Sequence, residues 1–388
     1  MNKKIGIITL FYKNYNYGGQ LQALAMQKIF EDKGYDSYVV QFKPYQSLYY
    51  LNRVYDLGFI DTVKLGINKL KFKKLLRKKT DLKSLYQKRI KRFDEFLRDI
   101  PKTKLYSEKT LALEDPFDIY VCGSDQIWNP AWWNNILLLG FTNKPKFSYA
   151  ASIAREQLTP KQVDCLRRKL RDYVGISTRE NAAQIMLQQI LHREIQCCLD
   201  PTLLIDTGFW ESISESTNDN SGKYLLVYNL GNSTTLVDDI CGEYEKKGYK
   251  TVFVGFGHNT FFMTEKQKVS VMIMDAGPRQ WLGLIRGAEC VITDSFHGTV
   301  FSVLFGKKFW CIEKDKDKKN NENTRLYSLL DSLSLQDRLL KKRDDFNIER
   351  SINYEFVKQR LEMLRMKSFD YIDKCLKLSS SDVGDDAK

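Results

Sequence analysis

The chain has 388 residues, of which 43% are hydrophobic, and its 61 Lys and Arg against 48 Asp and Glu give a formal net charge of +13. This length and apolar content indicate two or three folded domains and exclude an intrinsically disordered protein. No run of about 18 or more uncharged apolar residues occurs, so the sequence predicts no transmembrane helix.

Strands and helices alternate through the N-terminal half. The run KIGIITL (4–10) is predicted to be the first strand of a cytoplasmic protein, because no signal-peptide cleavage site follows it. A helix at 18–34, ended by Gly34, and a strand at 35–42 come next. Further along, strands are predicted at 117–125, 147–153, 173–178 and 196–205, with helices at about 159–172 and 179–190.

A strongly basic segment interrupts this pattern and predicts a helical insertion at about 45–110. Residues 64–92 carry thirteen Lys or Arg and one acidic residue, Asp81, while apolar residues recur at roughly helical spacing. Three interpretations stay open: a solvated basic face, a surface for anionic lipid headgroups or an acidic lipid-linked substrate, and a nucleic-acid surface. Because no recognisable nucleic-acid module accompanies the charge, we expect no nucleic-acid partner.

A polar stretch at 211–223 is predicted to be a linker. After it come predicted strands at 224–230, 249–256, 268–274, 289–294 and 307–313, and helices at 233–248, 278–288 and 297–306. The α/β pattern therefore predicts two Rossmann-like domains, 1–210 and 222–375, and a disordered polar tail at 379–388. Ligands bind at the carboxyl ends of the strands in such sheets, so we expect a site in the cleft between the domains.

Two glycine-containing turns follow predicted strands of the first domain. In NYNYGGQLQA (14–23), Gly18 and Gly19 allow close backbone approach to a ligand, and the helix that follows offers N–H groups to an anion. A plain tight turn is the alternative. In GSDQIWNP (123–130), polar side chains and an apolar ring suit a polyhydroxylated ligand, whereas the aspartate is alternatively a helix N-cap. These turns supply the candidate binding residues Asn16, Gly18, Gly19, Gln20, Ser124, Asp125 and Gln126, with Trp128 as the apolar ring.

Two further candidates lie at predicted helix starts. Arg179 follows VGIST, where its positive charge opposes the helix dipole, so an anionic partner is expected; an exposed ion pair with Glu180 is the alternative. His297 lies in the first turn of the helix that begins in DSFHGTVF, with Asp294 or Ser295 as the N-cap. This position favours an imidazole that takes and returns a proton, although a histidine in a turn is more often a satisfied polar residue.

Seven segments resemble, in order, the motif set of the polysaccharide pyruvyl transferase family over residues 5 to about 330: NYGGQLQALAMQ, VCGSDQIWNP, SYAASI, ISTRE, LDPTLL, DSFHGTVFSVLFGKKF and NTRLYSLL. The resemblance implies a fold like that of GT-B glycosyltransferases, with two Rossmann-like domains facing across a cleft. It also implies transfer of pyruvate from phosphoenolpyruvate to a sugar of a cell-surface polysaccharide or its lipid-linked precursor, usually as a ketal. No cofactor or metal is expected beyond this donor substrate.

The resemblance also assigns expected roles. Arg179 falls where the family places an arginine for phosphoenolpyruvate, and His297 falls on the family histidine, which we expect to act as the acid or base. Asn323 and Arg325 match the N-x-R stretch of the family. Asp125 is expected to bind or deprotonate the acceptor hydroxyl.

One motif departs from the family pattern. Many members carry S-x-R-x-H or R-L-H before the helix, and here Ser295 and Phe296 replace that arginine and its neighbour. The missing anion contact is therefore expected from another cation. The candidates are Arg279, Arg286 and Lys314.

Two other functions stay open: a nucleotide-sugar glycosyltransferase of GT-B type, and a non-catalytic member that binds glycan. The eight cysteines form no C-x-x-C pair, and they predict buried reduced thiols rather than disulfides or a metal site. We expect a cytoplasmic protein that contacts the inner face of an anionic membrane through residues 64–92.

Overall fold

The computed structural model describes residues 2–43, 59–131, 133–216, 222–230, 234–255, 270–313 and 323–381. It contains two parallel sheets, one from each half of the chain, which confirms the predicted pair of Rossmann-like units. The first contains β1 (Lys4–Ile8), β2 (Asp36–Phe42), β3 (Lys102–Tyr106), β4 (Ile119–Gly123) and β5 (Lys146–Tyr149), in the order β3-β2-β1-β4-β5.

Two short strands continue the edge of the first sheet. They are β6 (Ser177–Thr178) and β7 (Gln196–Cys197), which pair in parallel. A parallel bridge from Ala151 to Thr178 links them to the chain that follows β5. The strand ends of β4, β5, β6 and β7 consequently lie along one edge.

The second sheet comes from the C-terminal half. It contains β8 (Tyr224–Tyr228), β9 (Lys250–Val254), β10 (Val271–Ile273), β11 (Cys290–Thr293), β12 (Lys308–Ile312) and β13 (Leu339–Leu340). Its order is β10-β9-β8-β11-β12-β13, and every pairing is parallel.

Twelve α-helices fall within the described ranges. In the first half they are α1 (Tyr17–Asp32), α2 (Phe59–Lys78), α3 (Thr80–Arg98), α4 (Glu108–Glu114), α5 (Pro160–Lys169), α6 (Asn181–Leu191) and α7 (Thr207–Ile213). In the second half they are α8 (Thr234–Lys246), α9 (Pro278–Gly287), α10 (Phe296–Leu304), α11 (Thr324–Ser332) and α12 (Tyr354–Ser381). None of these helices combines the length and the apolar character needed to span a bilayer.

Helices cover both faces of the first sheet. Ile7 of β1 packs in the cluster that contains Leu21 of α1, whereas Ile8 packs in the cluster that contains Leu166 of α5 and Leu187 of α6. Burial on both faces explains why the strands are near-continuous apolar runs rather than alternating ones.

The core of α1 continues into the second half of the chain. Tyr17 stacks on Trp281 of α9, with ring centroids 5.2 Å apart and planes 7° apart. The Tyr17 hydroxyl also donates a hydrogen bond to the Ala276 carbonyl at 3.0 Å. The two sheets are therefore held by a shared apolar core beside the start of α1.

The basic segment folds as a pair of packed helices, α2 and α3. Arg89 of α3 is buried, donates to the Tyr15 carbonyl at 2.8 Å, and stacks on the Phe93 ring at 4.5 Å. Arg92 forms an ion pair with Asp275 at 2.9 Å, across to the second half. Part of the positive charge in this segment is therefore structural.

Three boundaries differ from the sequence predictions. The predicted insertion at about 45–110 ends earlier, because β3 pairs with β2 and belongs to the first sheet, while 44–58 lies outside the described residues. The predicted strand at 196–205 stops after β7, because Asp200 caps a 3₁₀ turn at Pro201–Leu203. Part of the predicted disordered tail is helical, since α12 extends to Ser381 and Ser379 is buried.

The last helix returns to the first half of the chain. The Tyr371 hydroxyl donates to the Ser148 carbonyl at 2.8 Å, and the Ser368 hydroxyl accepts from the Leu199 amide at 3.1 Å. At its start, the Tyr354 hydroxyl donates to the Lys307 carbonyl in the second half. Helix α12, part of which was assigned to the predicted second domain (222–375), thus contacts both halves.

All eight cysteines lie within the described residues and none forms a disulfide; six of them are buried. Burial raises the pKa of the Cys122 and Cys311 thiols to about 12. The expected buried reduced thiols are confirmed, apart from the half-buried Cys165 and Cys197.

Candidate active site

Four polar side chains that are distant in sequence meet at the carboxyl ends of the two sheets. Asp125 follows β4, Arg179 follows β6 and Asp200 follows β7, so three of them come from one edge of the first sheet. His297 follows β11 and reaches the same place from the second sheet. This is the edge at which open parallel sheets bind ligands.

Arg179 lies at the centre of this cluster, with a side chain only 1% exposed. Its Nη1 donates to Asp200 Oδ2 at 2.5 Å, and its Nη2 donates to Asp125 Oδ1 at 3.3 Å. The Phe296 ring covers the guanidinium at 4.3 Å. The buried Nε has no hydrogen-bond partner among the described residues, so one donor of this side chain stays available.

Asp200 connects the arginine to the histidine. Its Oδ1 accepts hydrogen bonds from the Thr202 amide at 3.0 Å and the Thr202 hydroxyl at 2.6 Å. Its Oδ2 accepts from the Ser124 hydroxyl at 3.2 Å and lies 3.5 Å from His297 Nε2. Together with the hydrogen bond from Arg179, four donors from three segments fix this carboxylate, which is completely buried.

Opposing effects set the charge of the two carboxylates. Burial raises a carboxyl pKa, and it is the largest single effect at both Asp200 and Asp125. Attraction to His297 and Arg179 nevertheless outweighs burial and lowers the pKa of Asp200 far below its ordinary value. Arg179, His297 and Arg325 together lower the pKa of Asp125 as well. Both groups are therefore ionised at neutral pH.

His297 lies in the first turn of α10. Ser295 rather than Asp294 is the N-cap, because its hydroxyl accepts from the Gly298 amide at 3.3 Å, while Asp294 accepts from the backbone after β8 at 2.6 Å. The imidazole is packed against the start of α1: a Cβ added at Gly18 would come within 2.0 Å of His297 Nδ1. The starts of α1 and α10 therefore meet at the imidazole.

Arg325 is a second cation beside the cluster. It lies in the first turn of α11, and its Nη1 is 3.7 Å from Asp125 Oδ1. With the Gln126 amide oriented by its hydrogen-bond network, the amide oxygen accepts from Arg325 Nη2 at 2.8 Å. Asn323 is buried at the N-cap position of the same helix, and Lys314 lies outside the described residues.

The structure places two of the candidate replacement cations outside this cluster. Arg279 forms an ion pair with Asp99 at 2.7 Å, and Arg286 donates to the Glu211 carbonyl at 3.0 Å. Both follow from the orientation of α9, whose polar side faces α3 and α7. Ser295, which stands where the resemblance leads us to expect an arginine, is the N-cap of α10, and its neighbour Phe296 covers the Arg179 guanidinium. Arg325 is the nearby cation.

The residues at the start of α1 have different roles: one contacts the imidazole, and the others stabilise the local backbone. Asn16 caps the helix by accepting from the Gly19 amide at 3.0 Å, and Gly18 touches the imidazole. Gln20 is buried and donates to the Phe11 carbonyl at 3.2 Å, so it supports the preceding loop rather than facing the cluster.

The structure contradicts one expectation and two of the alternatives for nearby side chains. Trp128 does not offer a ring for a sugar, because it is fully buried against Tyr173. Asp125 does not cap a helix, since a turn follows it, and it faces Arg179 instead. Glu180 is no surface partner of Arg179: it is buried, and its Oε1 accepts from the backbone amides of Ile153 and Ala154.

Asp200 is a site residue that was not predicted from the sequence. The D-P-T triplet after a strand-like run signals a cap, and Asp200 does cap the turn that follows it. Its contacts with Ser124, Arg179 and His297 involve its other carboxylate oxygen and segments that only the fold brings near. A carboxylate directly after a strand end was the available signal.

The arrangement can bind an anion and move a proton. It combines two arginines, an imidazole held beside a carboxylate, and two helix N-termini, whose N–H groups and dipoles favour negative charge. Two carboxylates and two arginines lie side by side in this cluster, and the imidazole adjoins Asp200.

A sequence model of the family described as polysaccharide pyruvyl transferase matches residues 16–316, a range that contains Asp125, Arg179, Asp200 and His297. The chain belongs to this family. Its members are transferases, and the motif set that suggested the resemblance is thereby confirmed. No curated protein sequence matches the chain.

Solved structures with the same architecture cover nearly the whole chain. A candidate UDP-N-acetylglucosamine 2-epimerase from Listeria monocytogenes has a TM-score of 0.50 at 10% identity, covering 97% of this chain and 90% of that one. Anabaena Alr3699/HepE, in complex with UDP and glucose, has a TM-score of 0.46 at 10% identity, covering 98% and 99%. The likeness to the Listeria structure and the two parallel sheets show that this chain has a GT-B-like α/β fold.

Proposed function

We propose that the protein transfers a pyruvyl group from phosphoenolpyruvate to a sugar of a cell-surface polysaccharide or of its lipid-linked precursor, as a ketal. The observation that carries this proposal is the cluster of Asp125, Arg179, Asp200 and His297, to which both sheets contribute. The proposed location is the cytoplasm, the compartment that contains phosphoenolpyruvate.

The donor carries a phosphate and a carboxylate, so its site needs cations and N–H donors. Arg325 and the free Nε of Arg179 are the proposed side-chain donors, and the starts of α1 and α10 supply the positive helix ends. Lys314 remains a proposed third cation. Ser124, Gln126 and Asn323 line the same strand and helix ends and are proposed contacts for substrate.

Ketal formation needs one proton to be added to the methylene carbon of the donor, and one proton to be removed from each of two sugar hydroxyls. The methylene carbon of the donor takes up a proton, and a sugar hydroxyl attacks C2 while losing its own proton. The C2–O bond to phosphate then breaks, and a second hydroxyl attacks C2 to close the ketal. One of the two hydroxyl protons replaces the proton taken up by the methylene carbon, and the other leaves with inorganic phosphate. His297 is the proposed acid and base, Asp200 positions its imidazole, and Asp125 is the proposed acceptor of a sugar hydroxyl proton.

Histidine substitutions test this assignment. The purified protein would be incubated with isotopically labelled phosphoenolpyruvate and a lipid-linked glycan fraction, and pyruvylated glycan would be measured by mass spectrometry together with released phosphate. His297→Asn should lower turnover by about 100-fold or more, the usual contribution of a general acid or base. His192→Asn is the matched control, because His192 is exposed at the end of α6 with φ of 50°, which asparagine also adopts.

The outcomes separate the candidate functions. Unchanged turnover in His297→Asn would exclude His297 as the acid or base. Consumption of a nucleotide sugar without use of phosphoenolpyruvate would instead support a GT-B glycosyltransferase. Binding of glycan without any turnover would support a non-catalytic member.

A further inference from the structure

The basic segment separates into two helices that use their charge differently. On α3, Arg89 donates hydrogen bonds to Tyr15 and Tyr17 within the first half of the chain. Arg92 pairs with Asp275 and so links α3 to the second half. On α2, by contrast, the described basic side chains are exposed, and the structure records no acidic partner for them among the described residues. These side chains are Lys71, Lys74, Arg77 and Lys78.

The exposed charges share one face of α2 with two exposed apolar side chains. Ile67 is 44% exposed and Leu70 is 67% exposed. Counting from residue 67, the positions 67, 70, 71, 74, 77 and 78 follow the i, i+3, i+4, i+7 spacing of a single helix face. We call this set, Ile67, Leu70, Lys71, Lys74, Arg77 and Lys78, the α2 outer face.

The opposite side of α2 is already used for packing. Phe72 and Leu82 form a buried pair, and Leu75 and Leu76 pack against it. The Phe72 ring also meets the Tyr86 ring edge-on, with centroids 5.4 Å apart. The orientation of α2 is thereby fixed, and its outer face is directed away from α3.

We propose that the α2 outer face docks on the surface of an anionic lipid bilayer. The four cations, with no acidic residue at the positions of that face, complement a negatively charged membrane surface, which attracts basic side chains that lie close to it. Ile67 and Leu70 lie at the end of the same face and can enter the boundary between headgroups and acyl chains. A nucleic acid would match the charge but would give these two apolar side chains no contact.

The position of the α2–α3 helix pair suits docking on a membrane. Helix α3 is attached through Arg89 to Tyr15 and Tyr17, which directly precede Gly18, the residue that touches His297. Docking through α2 would therefore fix the candidate site relative to the membrane. This geometry would serve an acceptor carried on a lipid, although the docking itself requires neither the donor nor the acceptor of the proposed function.

Vesicle cosedimentation of the full chain tests the proposal. The wild type should bind vesicles that contain phosphatidylglycerol, should not bind vesicles of phosphatidylcholine alone, and should be released by added salt. The triple variant Lys71→Glu, Lys74→Glu, Lys78→Glu should bind at least about tenfold more weakly, since it reverses three of the four charges. The corresponding Lys→Gln triple should bind with intermediate affinity and guards against misfolding caused by charge reversal.

A matched control changes the net charge equally at another place. Lys358, Lys367 and Lys377 are exposed on α12, and their replacement by Glu should leave vesicle binding unchanged. The double variant Ile67→Ser, Leu70→Ser should weaken binding to the same vesicles without changing the net charge.

Four outcomes would overturn the proposal. The first is that the wild type does not bind the anionic vesicles, and the second is that the α2 triple variants bind them as tightly as the wild type does. The third is that the α12 control loses as much vesicle affinity as the α2 triple variant. The fourth is that the Ile67→Ser, Leu70→Ser variant keeps full vesicle affinity. Double-stranded DNA is added as a competitor. The surface would be a nucleic-acid surface instead if the protein bound DNA tightly, if the serine substitutions left DNA binding intact, and if the protein showed no preference for anionic vesicles. Because the assay contains no phosphoenolpyruvate, its result is independent of the proposed reaction.

Discussion

Asp200 determines how the candidate site is organised. It receives hydrogen bonds from Ser124, Arg179 and Thr202, and it lies 3.5 Å from the His297 imidazole. A buried carboxylate beside an imidazole can hold the ring in one orientation. Its contribution should appear both in stability and in turnover.

We expect Asp200→Asn to lower the free energy of unfolding by about 3 kcal/mol at neutral pH, because it removes one member of a buried ion pair. The pKa of Asp200 is lower in the folded chain, so its stabilisation is complete above the unfolded pKa of about 4 and is lost as the pH falls from there towards the folded pKa. The difference between wild type and variant should therefore shrink below about pH 4.

Urea unfolding of both proteins across this pH range measures the difference. The control is Asp373→Asn, which removes an ion pair of an exposed aspartate with Lys33 and should cost less than about 1 kcal/mol. A constant difference between wild type and Asp200→Asn at all pH values would contradict the assigned ionisation of Asp200.

Gly18 is required by the imidazole rather than by the backbone of α1. We expect Gly18→Ala to displace His297 and to lower turnover, although alanine is the better helix former. Gly242→Ala in α8 is the control, since a Cβ there meets no atom within 4 Å, and it should raise the unfolding free energy by up to about 1 kcal/mol. Full activity of Gly18→Ala would mean that the contact between α1 and His297 has no functional role.

Helix α3 shows how a charged element becomes part of a core. Its basic composition predicts a solvated surface, yet Arg89 is buried because its guanidinium stacks on Phe93 and Tyr17 and donates to the Tyr15 carbonyl. The aliphatic part of the side chain packs while the charged group finds aromatic and carbonyl partners.

Arg89→Ala is expected to lower the free energy of unfolding by about 3 kcal/mol, through the lost hydrogen bonds of a charged group and the lost packing. Lys91→Ala on the same helix should change the free energy of unfolding by less than about 0.5 kcal/mol, because Lys91 is exposed and its ion pair with Glu95 is long, at 3.9 Å. Chemical denaturation compares the two. Equal effects would show that Arg89 is no more important than a surface residue.

Most elements could be predicted from the sequence because strands buried on both faces are apolar runs bounded by turn residues. Strand β3 could not, since KTKLY at the sheet edge buries only Tyr106 and alternates little. Asp125, Arg179 and His297 could be identified from the sequence as polar residues that follow strands. Their contact with Asp200 could not be predicted, because it depends on how two sheets that are far apart in sequence are placed.

Several contacts hold the two sheets of the molecule together, and three of them involve large elements or buried groups. These are the stack of Tyr17 on Trp281, the ion pair of Arg92 with Asp275, and helix α12, which contacts both halves. The candidate site lies where the sheets meet, so it is complete only when both halves are in place. This explains why Arg179 and His297, 118 positions apart by their numbers, share Asp200 as a partner.

The central claim, that this site binds phosphoenolpyruvate, is tested most directly by thermal stabilisation. Melting temperatures would be measured for the wild type and for Arg179→Gln and Arg325→Gln, each with phosphoenolpyruvate, a UDP sugar or a GDP sugar. We predict that phosphoenolpyruvate alone stabilises the wild type and that both substitutions reduce or abolish the shift. Stabilisation by a nucleotide sugar with none by phosphoenolpyruvate would contradict the proposed function while leaving the GT-B-like fold and the family unchanged.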